Sequence, residues 1–566
     1  MMGALGRVVR VTVRVAALWL VPVSGVACTL TAAPPARHAA APQTSPPDVD
    51  DDPGGAPRGP LAWAAFGPET FARAKAEHRF VVLDGSAEWC HWCHVMEATT
   101  YHDPAVQKIL GDRFIATKVD IDTRPEIAER YGDWGWPATV VFTPDGQELG
   151  KYRGYIDPAA FADVLRQIVS TGAEHTPHVA APHTPPATTP SRDAPARAAS
   201  LSEGEIAWIS RMTELELDDY WDPDQGSWGR VQKAPVYIDN EWALDRARAG
   251  DTILRDRALM ALDRQRQIID PVWGGIDQYS THGDWLHPHY EKLMTYQAGA
   301  LDNYAAAYAL TGDVKWLETA HAIQSFIERF MTSPQGVFFA TMDADLNAHD
   351  PSRPFVPGAQ FYALDDAGRR KLGVPRIDTR VYALENGLTI AAYVRLFEAA
   401  RDPRALSIAS TAARRILETH SNGKGAVTHE GGAAADAPIY LADNAAFGWG
   451  LIRLYEATKD PATLARAVRL ADALVTNVYD PTDGGFWSSS PDPNAIGVFA
   501  ARRKPFDDNV LALRFFARLA RYTTGNRYRS VIAETLEEIA TPDQIKSRGR
   551  MIGGFLSALD ETKGER

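Results

Sequence analysis

A chain of 566 residues, 45% of them hydrophobic, is too long for one small domain and can bury large cores. Its net charge of −13, with no basic cluster to offset it, excludes nucleic acid as a natural partner. Fifteen tryptophans, most of them in the later part of the chain, suit either a carbohydrate site or a helical core, the second use being the commoner.

Residues 1–28 carry the pattern of an export signal. Arg7, Arg10 and Arg14 make a basic start, and Val15 to Val26 form an apolar stretch too short for a membrane span. The segment closes with Gly25-Val26-Ala27-Cys28, which resembles a bacterial lipoprotein processing site with Cys28 as the lipidated residue. Gly25 stands where a large aliphatic residue is usual, and plain cleavage after Ala27 is the other reading. The expectation is an exported protein of the periplasm or cell envelope, touching the membrane only through a lipid anchor at Cys28. Residues 29–60, rich in Ala, Pro, Thr and Asp, read as a flexible tether.

Residues 61–172 read as an α/β thioredoxin-like domain: strand 79–84, helix 90–110, strand 114–121, short helix 125–131, strands 139–143 and 148–153, closing helix 158–170. The strand 114–121 reads as the second central strand, and Thr143-Pro144-Asp145-Gly146 is a hairpin turn. At the end of the first strand stands Trp89-Cys90-His91-Trp92-Cys93-His94. Strand, sharp turn and Cys-x-x-Cys opening a helix place Cys90 where unpaired N–H groups and the helix dipole favour a thiolate. Cys93, one turn further in, is placed to attack a mixed disulfide formed on Cys90.

The motif alone also fits c-type haem attachment, a zinc site with His91 and His94, or a structural disulfide. Three features outside it favour the dithiol, the second central strand among them. Asp84, six residues before Cys90, would sit half-buried beneath the cysteines and relay the resolving thiol's proton. Pro137, just before the strand at 139–143, fits a cis-proline facing the dithiol, beside which an extended substrate can pair. Trp89, His91 and Trp92 would tune the potential. No metal, and no cofactor beyond a redox-active Cys90–Cys93 disulfide, is expected. The expected partners are a protein thiol or disulfide and an envelope electron donor.

Residues 173–200 repeat Pro, Ala and Thr, with His175, His178 and His183 among them, and read as a linker. From residue 201 to 561 long amphipathic helices dominate. Gly-aromatic punctuation recurs at Gly226-Ser227-Trp228-Gly229, Trp273-Gly274-Gly275-Ile276, Gly336-Val337-Phe338-Phe339 and Gly484-Gly485-Phe486-Trp487. Helix starts recur too, as in Asp402-Pro403 and Asp460-Pro461, where aspartate caps the first turn. Five clear helical hairpins and a degenerate sixth predict an all-α (α/α)6 six-hairpin toroid, with an open solenoid as the structural alternative.

Cys90-His91-Trp92-Cys93-His94-Val95-Met96 followed by six hairpins resembles the spermatogenesis-associated protein 20 family, which joins a thioredoxin-like domain to a barrel similar to glycosidases and N-acylglucosamine 2-epimerase. Gly274 to Ser280, Pro288-His289-Tyr290-Glu291-Lys292, Asp343-Ala344-Asp345, Asn386-Gly387-Leu388 and Asp443 fall on family positions. Two departures stand out. After Glu291-Lys292 the family usually has a Tyr-Asp pair, whereas this chain has Thr295-Tyr296. Asp84 and Ala87-Glu88-Trp89 are closer to envelope thioredoxins such as the C-terminal domain of DsbD. The resemblance implies an architecture more than a barrel reaction.

In the barrel, His289 and Glu291 could act as base and acid on a sugar, with Lys292, Arg502 or Lys504 orienting a carboxylate or phosphate. Asp343, Asp345 and Asp443 are further carboxylate candidates, since glycoside hydrolysis needs a pair. No cysteine follows Cys93, which excludes a thiolate-ligated zinc there. The reading is therefore a cell-envelope thiol–disulfide oxidoreductase whose barrel binds a partner or glycan. The alternative is a carbohydrate-active barrel, epimerase- or glycosidase-like, with an accessory thioredoxin domain.

Overall fold

The structure, a computed structural model, describes residues 61–172, 201–434 and 436–565. The leader with Cys28, the tether and the linker at 173–200 lie outside the described residues. No helix among the described residues is long and apolar enough to cross a membrane.

The first part runs α1 (Pro68–Glu77), β1 (Phe80–Ser86), α2 (His91–Ala98), α3 (Pro104–Arg113), β2 (Phe114–Asp120), α4 (Pro125–Tyr131), β3 (Ala138–Phe142), β4 (Glu148–Arg153) and α5 (Pro158–Thr171). The strands form one sheet in the order β2-β1-β3-β4, with β1 parallel to β2 and the other pairs antiparallel. Along β1, Val81 and Leu83 pack with Phe71, Ile127 and Tyr131, whereas Val82 packs with Met96, Leu110, Phe161 and Leu165. Alternate residues point to opposite faces, and here both faces are covered, so Phe80 to Leu83 run apolar without alternation before Asp84.

Three sequence readings are corrected here. The strand after α3 lies outside β1, bridged beyond, among the described residues, only through Ala64 to Thr117, so β1 and β3 are the central pair. The helix expected over 90–110 is two helices. Asp103 accepts the N–H groups of Ala105 and Val106 at 2.9 and 3.0 Å, and Pro104 has no N–H with which to continue a helix from α2. An extra helix, α1, precedes β1, opened by Pro68 at its first turn.

The second part holds α6 (Glu203–Tyr220), α7 (Tyr237–Arg248), α8 (Thr252–Gln265), α9 (Met294–Thr311), α10 (Val314–Phe330), two short helices α11 (Gly358–Tyr362) and α12 (Asp366–Leu372), α13 (Ala383–Ala400), α14 (Pro403–Thr419), α15 (Leu441–Thr458), α16 (Pro461–Asn477), α17 (Phe506–Ala520), α18 (Arg529–Ile539), α19 (Pro542–Arg548) and α20 (Gly553–Glu561). The inner helices α7, α9, α13, α15, α17 and α20 touch in that order, and α20 returns to α7. Outer helices α8, α10, α14, α16 and α18 each back the inner helix before them, and α6 backs α20. The ring is closed, an (α/α)6 toroid rather than a solenoid. Its sixth hairpin joins the first and last long helices, which explains why no consecutive sixth repeat is legible.

One device recurs at the inner-helix starts. Asn386, Asn444 and Asn509 each accept the N–H and donate to the C=O of a residue in the preceding glycine turn, namely Phe338, Val427 and Phe486. Gln297 does the same for Ile276. A buried side-chain amide offers both a donor and an acceptor, so it satisfies an exposed-edge peptide that no strand covers. Further along the inner helices, Arg395, Arg453, Arg514 and Arg518 pair with Asp302, Glu398, Glu241, Glu561 and Glu456, tying neighbouring helices together with buried ion pairs.

Candidate functional site

The site is built where β1 ends. The chain turns through Ala87-Glu88-Trp89, with the Cys90 N–H donating to the Ala87 carbonyl at 3.2 Å. Cys90 is the N-cap of α2, and its Sγ accepts the Cys93 N–H at 3.2 Å. The two cysteines are joined in a disulfide and are each 4% exposed. The Trp136–Pro137 peptide is cis, and Pro137, buried, immediately precedes β3. Trp92 and Trp136, both partly exposed, pack on the same core cluster as the cysteines.

Asp84 is fully rather than half buried, at 3% exposure, because β1 is covered on both faces. Its Oδ1 accepts no hydrogen bond among the described residues. Burial pushes its carboxyl up to about 6, against the pull of the Lys118 ammonium on the neighbouring strand. Glu97, one turn beyond Cys93 on α2, adds its own negative field. Asp84 thus lies beneath the layer that carries the dithiol helix.

The dithiol loop is seated on the barrel. His91 donates its backbone N–H to Glu291 Oε1 at 3.3 Å, and its Nδ1 lies 2.8 Å from Asp345 Oδ2. His94 Nδ1 meets the same Asp345 oxygen at 3.2 Å. The Ala344 N–H donates to the Trp89 carbonyl at 3.4 Å, and His349 Nε2 lies 2.7 Å from the Glu88 carbonyl. Around the rim, Arg376 and Arg380 pair with Glu88, and Arg380 with Asp120. His429 Nε2 meets the Asp122 carbonyl at 2.8 Å, and Tyr440 OH donates to Glu126 at 3.1 Å. Val498 donates to Gly146 at 3.0 Å, and Phe499 packs against Phe66 and Phe142. These partners belong to the connections that lead into α9, α13, α15 and α17. The thioredoxin-like part therefore lies across the inner-helix N-termini, with its Cys-x-x-Cys motif over Glu291, Asp343 and Asp345.

The charges in this seat are interlocked. His94 Nδ1 faces a carboxylate and its Nε2 faces the Glu88 carbonyl at 3.1 Å. Neither oxygen can donate, so both ring nitrogens carry hydrogen and the ring is an imidazolium. Burial opposes that charge, but Asp343 and Asp345 overcome it and push the His94 pKa up to about 9. His91 is raised in the same way, burial working against Asp345 and Glu291. Asp345, despite its burial, is held far below the ordinary carboxylate range by His91 and His94. Asp343 goes the other way, raised by burial even beside His94.

Sequence-nominated residues are dispersed among several roles. His289 stacks on Tyr279 with ring centroids 4.1 Å apart and reaches Glu291 at 3.8 Å. Burial works to raise the Glu291 carboxyl, but His289 outweighs it and keeps Glu291 below the usual range. Lys292 does not face a ligand. It is fully buried against Asp277 and over the Tyr362 ring, a structural ion pair. Lys504 is likewise held by Asp480 at 2.8 Å and the Gly484 carbonyl, and Arg502 lies over Trp487. Asp443 accepts from His429 at 3.0 Å and from the Leu384 N–H at 3.1 Å, on another hairpin from Asp343 and Asp345.

His349, Arg376, Arg380 and Asp122 had no local signal. Each lies in a connection or strand end whose neighbours are ordinary, and each meets the other part of the chain only through the seating. The Asp122 carbonyl, for instance, meets the His429 ring from the barrel, while its carboxylate accepts the Trp89 indole N–H at 2.8 Å within the thioredoxin-like part.

Two family models match the chain: "Protein of unknown function, DUF255" over residues 56–182 and "Glycosyl Hydrolase Family 88" over residues 373–549. Human spermatogenesis-associated protein 20 is 22% identical over 563 residues, covering 77% of this chain and 70% of that protein. The thiol:disulfide interchange protein DsbD of Pseudomonas fluorescens is 36% identical over 93 residues, which are 16% of either chain. The cellobiose 2-epimerase of Bacillus thermoamylovorans superposes with a TM-score of 0.47 at 10% identity, covering 59% of this chain and 87% of that one. Fold and site together define a thioredoxin-like unit with a Cys-x-x-Cys disulfide, joined to and seated on a six-hairpin glycosidase-like barrel. Over most of its length the chain is similar to spermatogenesis-associated protein 20, with the same succession of a thioredoxin-like unit and a six-hairpin barrel.

Proposed function

We propose that the protein is a thiol–disulfide oxidoreductase of the cell envelope that works through Cys90 and Cys93, with the barrel holding the dithiol loop and binding a partner protein or glycan. In the reducing direction, the Cys90 thiolate attacks a substrate disulfide, and one substrate sulfur leaves as a thiolate. The Cys93 thiolate then attacks Cys90 of the mixed disulfide, the second substrate sulfur leaves, and the Cys90–Cys93 bond forms. Two electrons pass to the substrate, and an envelope dithiol donor must return them to the pair. The reverse direction runs the same steps backwards. Asp84 is the group suited to take and return the proton of Cys93.

The observation that carries this reading is the position of Cys90 at the N-cap of α2, with its sulfur accepting the Cys93 N–H. A helix N-terminus stabilises a thiolate by the same N–H groups and dipole that bind anions. The likeness of this segment to a thiol:disulfide interchange protein supports the same chemistry. The proposal extends to export and to a lipid anchor at Cys28, on the sequence pattern given above. The carboxylates nominated for sugar chemistry, Glu291 and Asp345, are engaged by His91, His94 and His289, which favours the redox reading.

The test is the reduction potential of the pair together with partner trapping by Cys93→Ser. The expected result is a defined two-electron potential and covalent adducts on Cys90 that a reductant releases. Equal disulfide turnover by the wild type and the Cys90→Ser/Cys93→Ser variant would falsify the proposal.

A further inference from the structure

We propose that His94, Asp343, His349 and the backbone carbonyl of Glu88 form a four-coordinate site for a divalent transition metal, Zn2+ by its donor set, that bolts the redox loop to the barrel. The three side chains present one ligand atom each, all within 4.8 Å of one another. His94 Nε2 lies 3.1 Å from the Glu88 oxygen and 3.8 Å from Asp343 Oδ2. His349 Nε2 lies 2.7 Å from the same carbonyl and 3.3 Å from the same carboxylate oxygen. Ligands bound at 2.0–2.1 Å in a tetrahedron are separated from one another by about 3.3 Å, so these four spacings bracket the required edge. The two imidazoles stand nearly perpendicular, at 89°, as ligands approaching one centre from different directions can.

Two independent features point to a cation. Asp343 Oδ1 accepts the Asp345 N–H at 2.9 Å, while its Oδ2, on a side chain only 1% exposed, accepts no hydrogen bond of ordinary geometry among the described residues. A buried carboxylate oxygen left in that state is costly, and the His94 imidazolium faces it only at 3.8 Å, so an ion bound between them would satisfy it directly. Behind the donor set, His94 Nδ1 is held by Asp345 Oδ2 at 3.2 Å. A carboxylate on the far nitrogen of a ligating histidine fixes ring orientation and raises its basicity. Imidazole with hard oxygen suits Zn2+ and its neighbours in the transition series, not Mg2+ or Ca2+, which prefer all-oxygen shells. A bound ion would replace the Nε2 proton of His94 and fasten the Glu88 carbonyl, two residues before Cys90, to the connection carrying Asp343.

The experiment uses the full chain with its disulfide intact, so that no thiolate competes for metal. After chelator treatment and dialysis, titration calorimetry with Zn2+ is expected to give one site per chain with submicromolar affinity. Asp343→Asn and His349→Ala should each weaken it at least 100-fold, and Asp345→Asn about 10–100-fold. Replacing His175, His178 and His183 together should leave it unchanged. Co2+ in place of Zn2+ should show the intense visible bands of a four-coordinate ion. Absence of stoichiometric Zn2+, binding unaffected by His349→Ala, loss of binding in the linker triple variant, or a weak six-coordinate Co2+ spectrum would each overturn the proposal. Should Asp343→Asn fail to fold, His349, with a side chain 26% exposed, supplies the substitution, and the wild-type Co2+ spectrum decides geometry by itself.

Discussion

His91 Nδ1 lies 2.8 Å from Asp345 Oδ2, so the histidine between the two cysteines is held by a barrel carboxylate more than two hundred residues away in sequence. The disulfide loop and the barrel carboxylates are therefore one cluster and not two. Four consequences can be measured.

Asp345→Asn removes the charge shared by His91 and His94 while keeping the shape. Breaking a buried pair by deleting one partner costs about 3 kcal/mol, so the melting temperature should fall. The loop should also loosen. Alkylation of Cys90 in the reduced full chain is expected to quicken at least tenfold over wild type. An unchanged rate would mean that the backbone contacts of Glu88 and Trp89 hold the loop without Asp345.

Asp84 is raised from its ordinary value to about 6, chiefly by burial. A carboxyl whose folded pKa exceeds its unfolded one binds its proton more tightly in the native state. Stability contributed by this group is then complete below about pH 4 and falls as pH rises from 4 to 6, by about 3 kcal/mol in total. Asp84→Asn should abolish that dependence and be more stable than wild type at pH 7 in urea unfolding. The same variant should lose the inflection near pH 6 in the rate of thiol–disulfide exchange and slow it by about 100-fold.

His429 shows the same sign in a higher pH window, and from a different cause. Burial lowers its affinity for a proton, but Asp443 outweighs burial and raises the pKa to about 9. Its contribution is complete below about pH 6.5 and is lost as pH rises through 9, amounting to at most about 3 kcal/mol. His429→Gln should flatten the stability profile between pH 6.5 and 9, and equal slopes in the two proteins would refute the assignment.

Gly497 crosses Gly146 where the barrel loop meets the thioredoxin-like part. A Cβ at Gly497, whose φ is +53°, would stand 2.0 Å from the Gly146 carbonyl oxygen. Gly497→Ala is expected to cost about 1–3 kcal/mol and to expose the 143–147 hairpin to limited proteolysis. Gly204→Ala, in α6 with nothing within 4 Å of the added carbon, should instead stabilise by about 0.5–1 kcal/mol.

Much was legible in short windows of sequence. The turn into Cys90 and the aspartates that cap α14 and α16 are local hydrogen-bonding problems solved by residues within a few positions of each other. The closed ring needed more, because α20 meets α7 and α6 only after the rest of the circle is complete. Lys292 looked like a ligand residue by type, yet tertiary packing turned it inward onto Asp277.

By itself the sequence determined the dithiol, its helix and the hairpin repeat, since caps, turns and amphipathic faces act over fewer than about twenty residues. Only the tertiary structure decided what the dithiol rests on. His94, His349 and Asp343 carry no periodicity or spacing that links them, and a long-range pairing of charges leaves no local trace. It exists because closing the ring sets the connections into α9 and α13 beside each other, at the place where the thioredoxin-like sheet ends.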